Sequence, residues 1–191
     1  MRKGLAPALI VVGAILLTAL IGEGYLRYKY NEFVTTDESI KARWAQVQNQ
    51  LKRRTDLIPN LVETVKGYAV HERKVLEAIT NARVRLARAE NTKEQMEGAN
   101  ELSSALARLL VIAEKYPNLK ADATFIRLMD ELAGTENRLA VERMRYNETV
   151  QQYNTELRRF PGNLVASLFG FNQQPFFQVP AAATEVPRAV F

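Results

Sequence analysis

Residues 125–160 read FIRLMDELAGTENRLAVERMRYNETVQQYNTELRRF, and through them Phe125, Leu132, Leu139, Tyr146, Tyr153 and Phe160 stand seven residues apart. Leu128, Met129, Val150 and Leu157 thicken the same stripe. An α-helix turns about every 3.6 residues, so a strict period of seven keeps these side chains on one slowly drifting face and favours a left-handed supercoiled seam. Phe160-Pro161-Gly162 ends the pattern. A helix with a single apolar face must bury that face against other helices, and the rest of the chain has to supply them.

Working upstream, Tyr116-Pro117-Asn118 has to turn, because the residue before a proline avoids helical backbone angles. Before it, Met96, Ala99, Leu102, Leu106, Leu109 and Ala113 keep the helical spacing. The polar break at Ala89 to Thr92 and the pair Thr92-x-x-Gln95 read as a capping box that starts this helix. Thr35-x-x-Glu38 gives the same signal further back. Beyond it Ile40, Trp44, Val47, Leu51, Ile58, Leu61, Val62, Val65, Val75, Leu76, Ile79 and Leu86 follow, mostly at steps of three and four. This pattern predicts a helix of up to about 50 residues, interrupted at Pro59, where a lost donor predicts a kink or a restart capped by Thr55 or Asp56. Three segments of about 75, 35 and 60 Å by helical rise predict an all-α fold, an elongated antiparallel bundle with coiled-coil-like packing. The middle helix is too short to cover the seam, so long-helix surface is either bent back at Pro59 or offered to another chain.

The amino end is of another kind. Gly4 to Gly22, including Leu9, Gly13 and Leu17, is a run without charge, bounded by Arg2 and Lys3 and by Glu23. As a helix it extends about 28 Å, close to the thickness of a bilayer's hydrocarbon core. Pro7 falls in its first turn, where a missing donor costs little. A cleaved signal peptide and a buried core helix compete with a single transmembrane helix as readings. The run is longer than a secretory apolar region and offers only Thr18-Ala19-Leu20 or Leu20-Ile21-Gly22 for cleavage, so the spanning helix is preferred. Tyr25, Tyr28, Tyr30 and Phe33 read as an aromatic belt at headgroup depth. Arg2, Lys3 and the terminal amine outweigh, in density, Arg27, Lys29 and Lys41, which predicts a body on the non-cytoplasmic, periplasmic side. The expected organisation is an anchor over 1–26, a helical bundle over 27–161 and a tail over 162–191 that is partly packed or flexible.

Absence of cysteine excludes disulfides, thiolate catalysis and cysteine metal sites. A net charge of +5, part of it ahead of the anchor, is too small to nominate nucleic acid. No glycine-rich phosphate loop occurs among the nine glycines, so no cofactor is expected. His71-Glu72 resembles the start of a zinc-protease helix, but Val75 stands where the second histidine belongs and His71 is the chain's only histidine, so no metal is expected either. The basic stretch Arg73, Lys74, Arg83, Arg85 and Arg88 lacks interleaved aromatics and reads as a solvated face, with anionic headgroups as the livelier alternative.

Arg53-Arg54-Thr55-Asp56-Leu57-Ile58-Pro59-Asn60-Leu61-Val62, continuing as ETVKGYAVHE to Glu72, resembles the signature of the LemA family of bacterial membrane proteins. Tyr116-Pro117-Asn118-Leu119-Lys120-Ala121, Thr135-Glu136-Asn137-Arg138, Arg143-x-x-Tyr146-Asn147 and Tyr153-Asn154 agree in order and spacing. The resemblance runs from about Tyr30 to Phe177. It implies a short amino-terminal segment, one membrane helix and a helical bundle, and no established enzymatic activity, substrate or cofactor.

The same motifs carry the candidate site. Glu136, Asn137, Arg143, Asn147 and Asn154 interleave with Leu139, Tyr146 and Tyr153 along one ridge. Asparagine is a poor helix former, so a repeated Tyr-Asn pair asks for a cause. One cause is internal: amides bonding Arg53, Arg54 or Asp56 on the facing helix and fixing register. The other is a recognition strip for a partner helix or peptide. Three functions follow: a membrane-anchored, non-enzymatic scaffold or interaction module of the cell envelope, binding the bilayer and another membrane or envelope protein; a self-assembling structural protein, its seam closed by copies of itself; and an enzyme using Glu136 with His71. In the tail, Phe176 and Phe177 are expected to fold back on the bundle, while Val190-Phe191 would suit strand addition to a groove.

Overall fold

The computed structural model describes residues 5–69 and 71–178, with side chains from residue 9 onward. Gly4 and the closing Val190-Phe191 lie outside the described residues. The chain is all-α, and among the described residues there is no strand. Its helices are α1 (Leu5–Lys66), α2 (Arg73–Arg88), α3 (Thr92–Ala113), the single turn α4 (Pro117–Lys120), α5 (Ala123–Arg158) and α6 (Gly162–Phe169). They divide into two compact units, one built from 5–42 with 148–174 and the other from 43–147 with 175–178.

Helix α1 is long and apolar enough to cross a membrane, and residues 9–24 are all exposed. The hydroxyl of Thr18, the most polar side chain in the uncharged run, donates to the carbonyls of Ala14 (3.0 Å) and Ile15 (2.8 Å). It therefore asks nothing of a hydrocarbon surrounding. The helix continues through Thr35 without a new start. Thr35 folds its hydroxyl back onto the carbonyl of Asn31 at 2.8 Å, so the capping box expected there is an internal bond.

Pro59 does not restart the helix either. Proline lacks the amide that would bond the carbonyl four residues earlier, which is that of Thr55. Nε of Arg83, on α2, donates to this carbonyl at 3.1 Å, so a side chain replaces the missing donor. Arg83→Ala is expected to destabilise the fold by about 1 kcal/mol, and Pro59→Ala, which restores the backbone donor, to remove most of that penalty. A double-mutant cycle read by thermal unfolding measures the coupling.

The bend back that was one option at Pro59 falls instead after Lys66, between α1 and α2. Here Ala69 N–H bonds the carbonyl of Val65 (2.8 Å), and the Tyr116 hydroxyl donates to the carboxylate of Glu72 (3.1 Å). Consequently the unit 43–147 holds four bundle helices where three were expected. Trp44 with Tyr146, Arg54 with Glu136 and Tyr68 with Asp122 pair α1 antiparallel to α5. Gln95 with Gln48 and Ser103 with Arg54 set α3 parallel to α1, and Arg83 with Thr55 brings α2 back against it. The topology is up-down-up-down. Helix α3 starts one residue earlier than the sequence suggested: Asn91 accepts from Glu94 N–H (2.9 Å) and Glu94 accepts from Glu90 N–H (3.0 Å). The Glu90 N–H and the Asn91 side-chain amide, which donates to the same carboxylate at 2.7 Å, hold Glu94 below the usual carboxyl range. Where α2 and α3 cross, a Cβ on Gly98 would sit 2.9 Å from the Leu86 Cα, so only glycine permits this approach.

The seam is filled within the chain. Phe125, Leu132, Leu139 and Tyr146 in this unit are at most 5% exposed. In the other unit Val150, Tyr153 and Leu157 are buried, but Phe160, the last member of the seven-residue series, lies past the end of α5 and is 80% exposed. Phe33 also departs from expectation. It is buried, its ring 6.0 Å from Tyr153 and 5.1 Å from Phe171, and so belongs to the core of this unit and not to a headgroup belt. Tyr28 and Tyr30 remain exposed.

Candidate functional site

On the unit 43–147 with 175–178, Glu136 of α5 meets Arg54 of α1, and Arg143, Tyr146 and Asn147 follow along α5. Arg54 is only 5% exposed. Its Nη1 donates to Ser103 Oγ at 2.8 Å and forms an ion pair with Glu136. The second oxygen of Glu136 accepts from Arg143 Nη2 at 3.3 Å, so one carboxylate sits between two guanidinium groups. Burial lowers the pKa of Arg54 most, Glu136 opposes that, and Arg143 adds to it.

This cluster supports an extended strap formed by residues 175–178. The Asn147 amide takes both backbone groups of Phe177, accepting from its N–H (2.8 Å) and donating to its carbonyl (3.0 Å). Tyr146 donates its hydroxyl to the Pro175 carbonyl at 2.9 Å, and Asn100 donates to that of Gln178 at 3.0 Å. The Phe177 ring is 2% exposed, with the Arg143 guanidinium 5.3 Å from its centroid and the Trp44 ring at 5.9 Å. Phe176, its neighbour, faces out at 43%.

In the unit 5–42 with 148–174 the second Tyr-Asn pair repeats the device. Tyr153 is buried against Phe33, while Asn154 accepts from Gln174 N–H (2.9 Å) and donates to the Gln174 carbonyl (2.8 Å). Gln174 in turn donates to Asp37 at 3.2 Å.

In this structure the amides bond the backbone of the tail and not Arg53, Arg54 or Asp56 of α1, the partners of the internal reading. Among those partners, only Arg54 is buried in the ridge. Arg53 is exposed, and Asp56 is exposed and pairs with Lys52 at 3.4 Å. Pro59 and Asn60 are exposed on α1, Asn60 accepting from Thr64, and Asn137 is exposed on α5. His71 is exposed in the reversal before α2, beside Glu72 and its partner Tyr116. Glu136 lies fourteen residues along α5 from Asp122, the partner of Tyr68 at that end of the bundle, or about 21 Å of helix. His71 and Glu136 are therefore not brought together. No cluster of three or more metal-donor side chains forms among the described residues. Sequence reasoning missed Trp44, Asn100 and Ser103 as parts of this site; of Phe176 and Phe177, expected to fold back on the bundle, Phe177 does so and Phe176 does not.

Its chemistry is recognition of backbone: paired amide bonds that read N–H and C=O without regard to side chain, plus one aromatic slot. Tyr146 ties the strap to pH. Burial pushes its hydroxyl up to about 12, against an ordinary value near 10. The unfolded chain therefore ionises first, so the contribution to stability is complete below about pH 10 and is lost as pH rises toward 12. Thermal unfolding across that window should fall in the native protein and fall less in Tyr146→Phe.

The chain is 27% identical over 211 residues to magnetosome protein MamQ 2 of Paramagnetospirillum magneticum, covering 96% of this chain and 77% of that one. It is 25% identical over 212 residues to magnetosome protein MamQ of Magnetospirillum gryphiswaldense, covering 97% and 78%. It is 25% identical over 171 residues to protein LemA of Metamycoplasma hominis, covering 88% and 76%. The LemA family matches residues 43–191, which include the Arg54–Glu136 pair, the Tyr-Asn ridge and the strap, and the chain belongs to the LemA family.

Proposed function

We propose that this protein is a single-pass membrane scaffold of the bacterial envelope that captures another envelope or membrane protein and carries out no reaction. The observation that carries the reading is the ridge of α5, where side-chain amides hold an extended backbone. A surface that binds its own strap by main-chain bonds and one aromatic anchor is suited to an extended segment of a partner, which would replace residues 175–178. Helix α1 carries the exposed apolar span, long enough to cross a membrane, which supports the anchor. In this reading residues 1–26 are the anchor, 27–161 the bundle and 162–191 the tail, with the body on the non-cytoplasmic side. Relatives bearing the name magnetosome protein, and none of a reaction, agree with an organisational role.

Self-assembly through the heptad seam is less favoured, because the chain's own helices bury the seam. An enzyme using Glu136 and His71 is less favoured still, since Glu136 is engaged by Arg54 and Arg143. The test is co-purification from native membranes. A species bound by the native chain should be lost from Arg143→Ala and Asn147→Ala variants that keep full helicity; equal recovery would remove the ridge as the binding site.

A further inference from the structure

Helix α6 has two faces. Gly162, Val165 and Ala166 are buried, closing on the core around Phe33. The opposite side carries Leu164 (59% exposed) and Leu168 (68%), with Phe160 (80%) just before the helix and Phe169 (48%) at its end. Four large apolar side chains on about two turns of surface are unusual for a face in water. A left-handed Gly170 at φ 75°, with Phe171 N–H bonding the Ala166 carbonyl, ends the helix sharply and turns the chain back.

The location of this face on its own unit supplies the argument for what covers it. The Phe169 ring packs edge-on against Tyr30 at 4.9 Å, and Phe169 lines one hollow with Glu23, Leu26, Arg27 and Tyr30. Glu23 is the first charged residue after the uncharged run, so α6 lies beside the turns of α1 that emerge from the apolar span. Arg27, Arg158 and Arg159 are exposed on the same unit, Arg27 paired with Glu23 at 2.5 Å and Arg159 with Glu156 at 3.4 Å. Apolar and aromatic side chains flanked by cations, continuous with a spanning helix, match the boundary between acyl chains and anionic headgroups.

We propose that α6, with Phe160, Leu164, Leu168 and Phe169, is a second membrane contact that lies in the headgroup–acyl boundary of an anionic bilayer beside the exit of α1. The inference rests on α1 spanning the membrane and adds an in-plane element that fixes the rotation and tilt of the unit against the bilayer.

Because the chain has no cysteine, single-cysteine variants accept one label each. Full-length Leu168→Cys, Leu17→Cys and Val111→Cys, labelled with an environment-sensitive fluorophore, are reconstituted into phosphatidylcholine–phosphatidylglycerol vesicles with and without a lipid-borne quencher. The expected result is a blue-shifted emission and loss of most of it to the lipid quencher at positions 17 and 168, with position 111 unaffected. Adding Phe160→Ser and Leu164→Ser to the position 168 variant should return its emission toward that of position 111. If position 17 is quenched while 168 behaves as 111, or is shielded from lipid and aqueous quenchers alike, the span stands and the second contact is overturned. If position 17 escapes the lipid quencher, the spanning reading falls and takes this inference with it.

Discussion

Replacing Glu136 with alanine is expected to destabilise the folded protein by about 3 kcal/mol, the lower end of the cost of stripping one partner from a buried ion pair. Arg54 would be left almost wholly buried, keeping Ser103 but losing its carboxylate, while the repulsive Arg143 remains close. The lower end applies because Glu136 is itself about a third exposed, so water softens part of the loss. Glu136→Gln, which retains shape and an acceptor, should cost less. Arg54→Met combined with Glu136→Leu removes both charges and should recover most of the stability, because desolvation and attraction largely cancel in such pairs. Thermal unfolding of the detergent-solubilised chain, followed by circular dichroism, checks the series. A Glu136→Ala protein as stable as the native one would mean that the Arg54 guanidinium reaches water.

Phe177→Ala is the second large effect, and its signature is local. Removing a buried phenyl ring from between Trp44 and Arg143 should cost about 3 kcal/mol, but the strap is not part of any helix and can open without the bundle. The main melting transition should therefore move little, while protection of the Phe177 amide against hydrogen exchange falls about 100-fold, the equivalent of that free energy. Asn147→Ala breaks two bonds to the same residue and should give a smaller loss, about 2 kcal/mol. If exchange at Phe177 is unaltered in Phe177→Ala, the strap is held by something other than its ring.

Much of this architecture was legible because it is periodic. The seven-residue stripe from Phe125 to Tyr153 is buried as read, and α3 is present with a start displaced by one residue. Local signals misled where tertiary contacts overrode them. Pro59 was a credible break, yet Arg83 satisfies the carbonyl that the proline abandons, and a helix can pass through a proline whose orphan acceptor has a partner. The true reversal carried the weaker signal Lys66-Gly67, a cation and a glycine at a helix end. Phe160 kept the period but fell off the end of α5, where a heptad position no longer has meaning.

At the site, the need for a polar partner was legible and the partner was not. A Tyr-Asn pair recurring on an apolar seam announces amides that must be satisfied. What satisfies them is extended chain twenty to thirty residues away, and an extended strap held by side-chain amides has no sequence period to find.

We propose that the α5 ridge takes an extended segment of a foreign protein in place of its own strap. Photocrosslinking in intact membranes from residues introduced at positions 143 and 147, in the native background and with Phe177→Ala, tests it most directly. The account expects one discrete partner, identified by mass spectrometry, with a yield that rises when the strap is loosened. Crosslinks that stay within the chain in both backgrounds would contradict it and make the ridge a purely internal clamp.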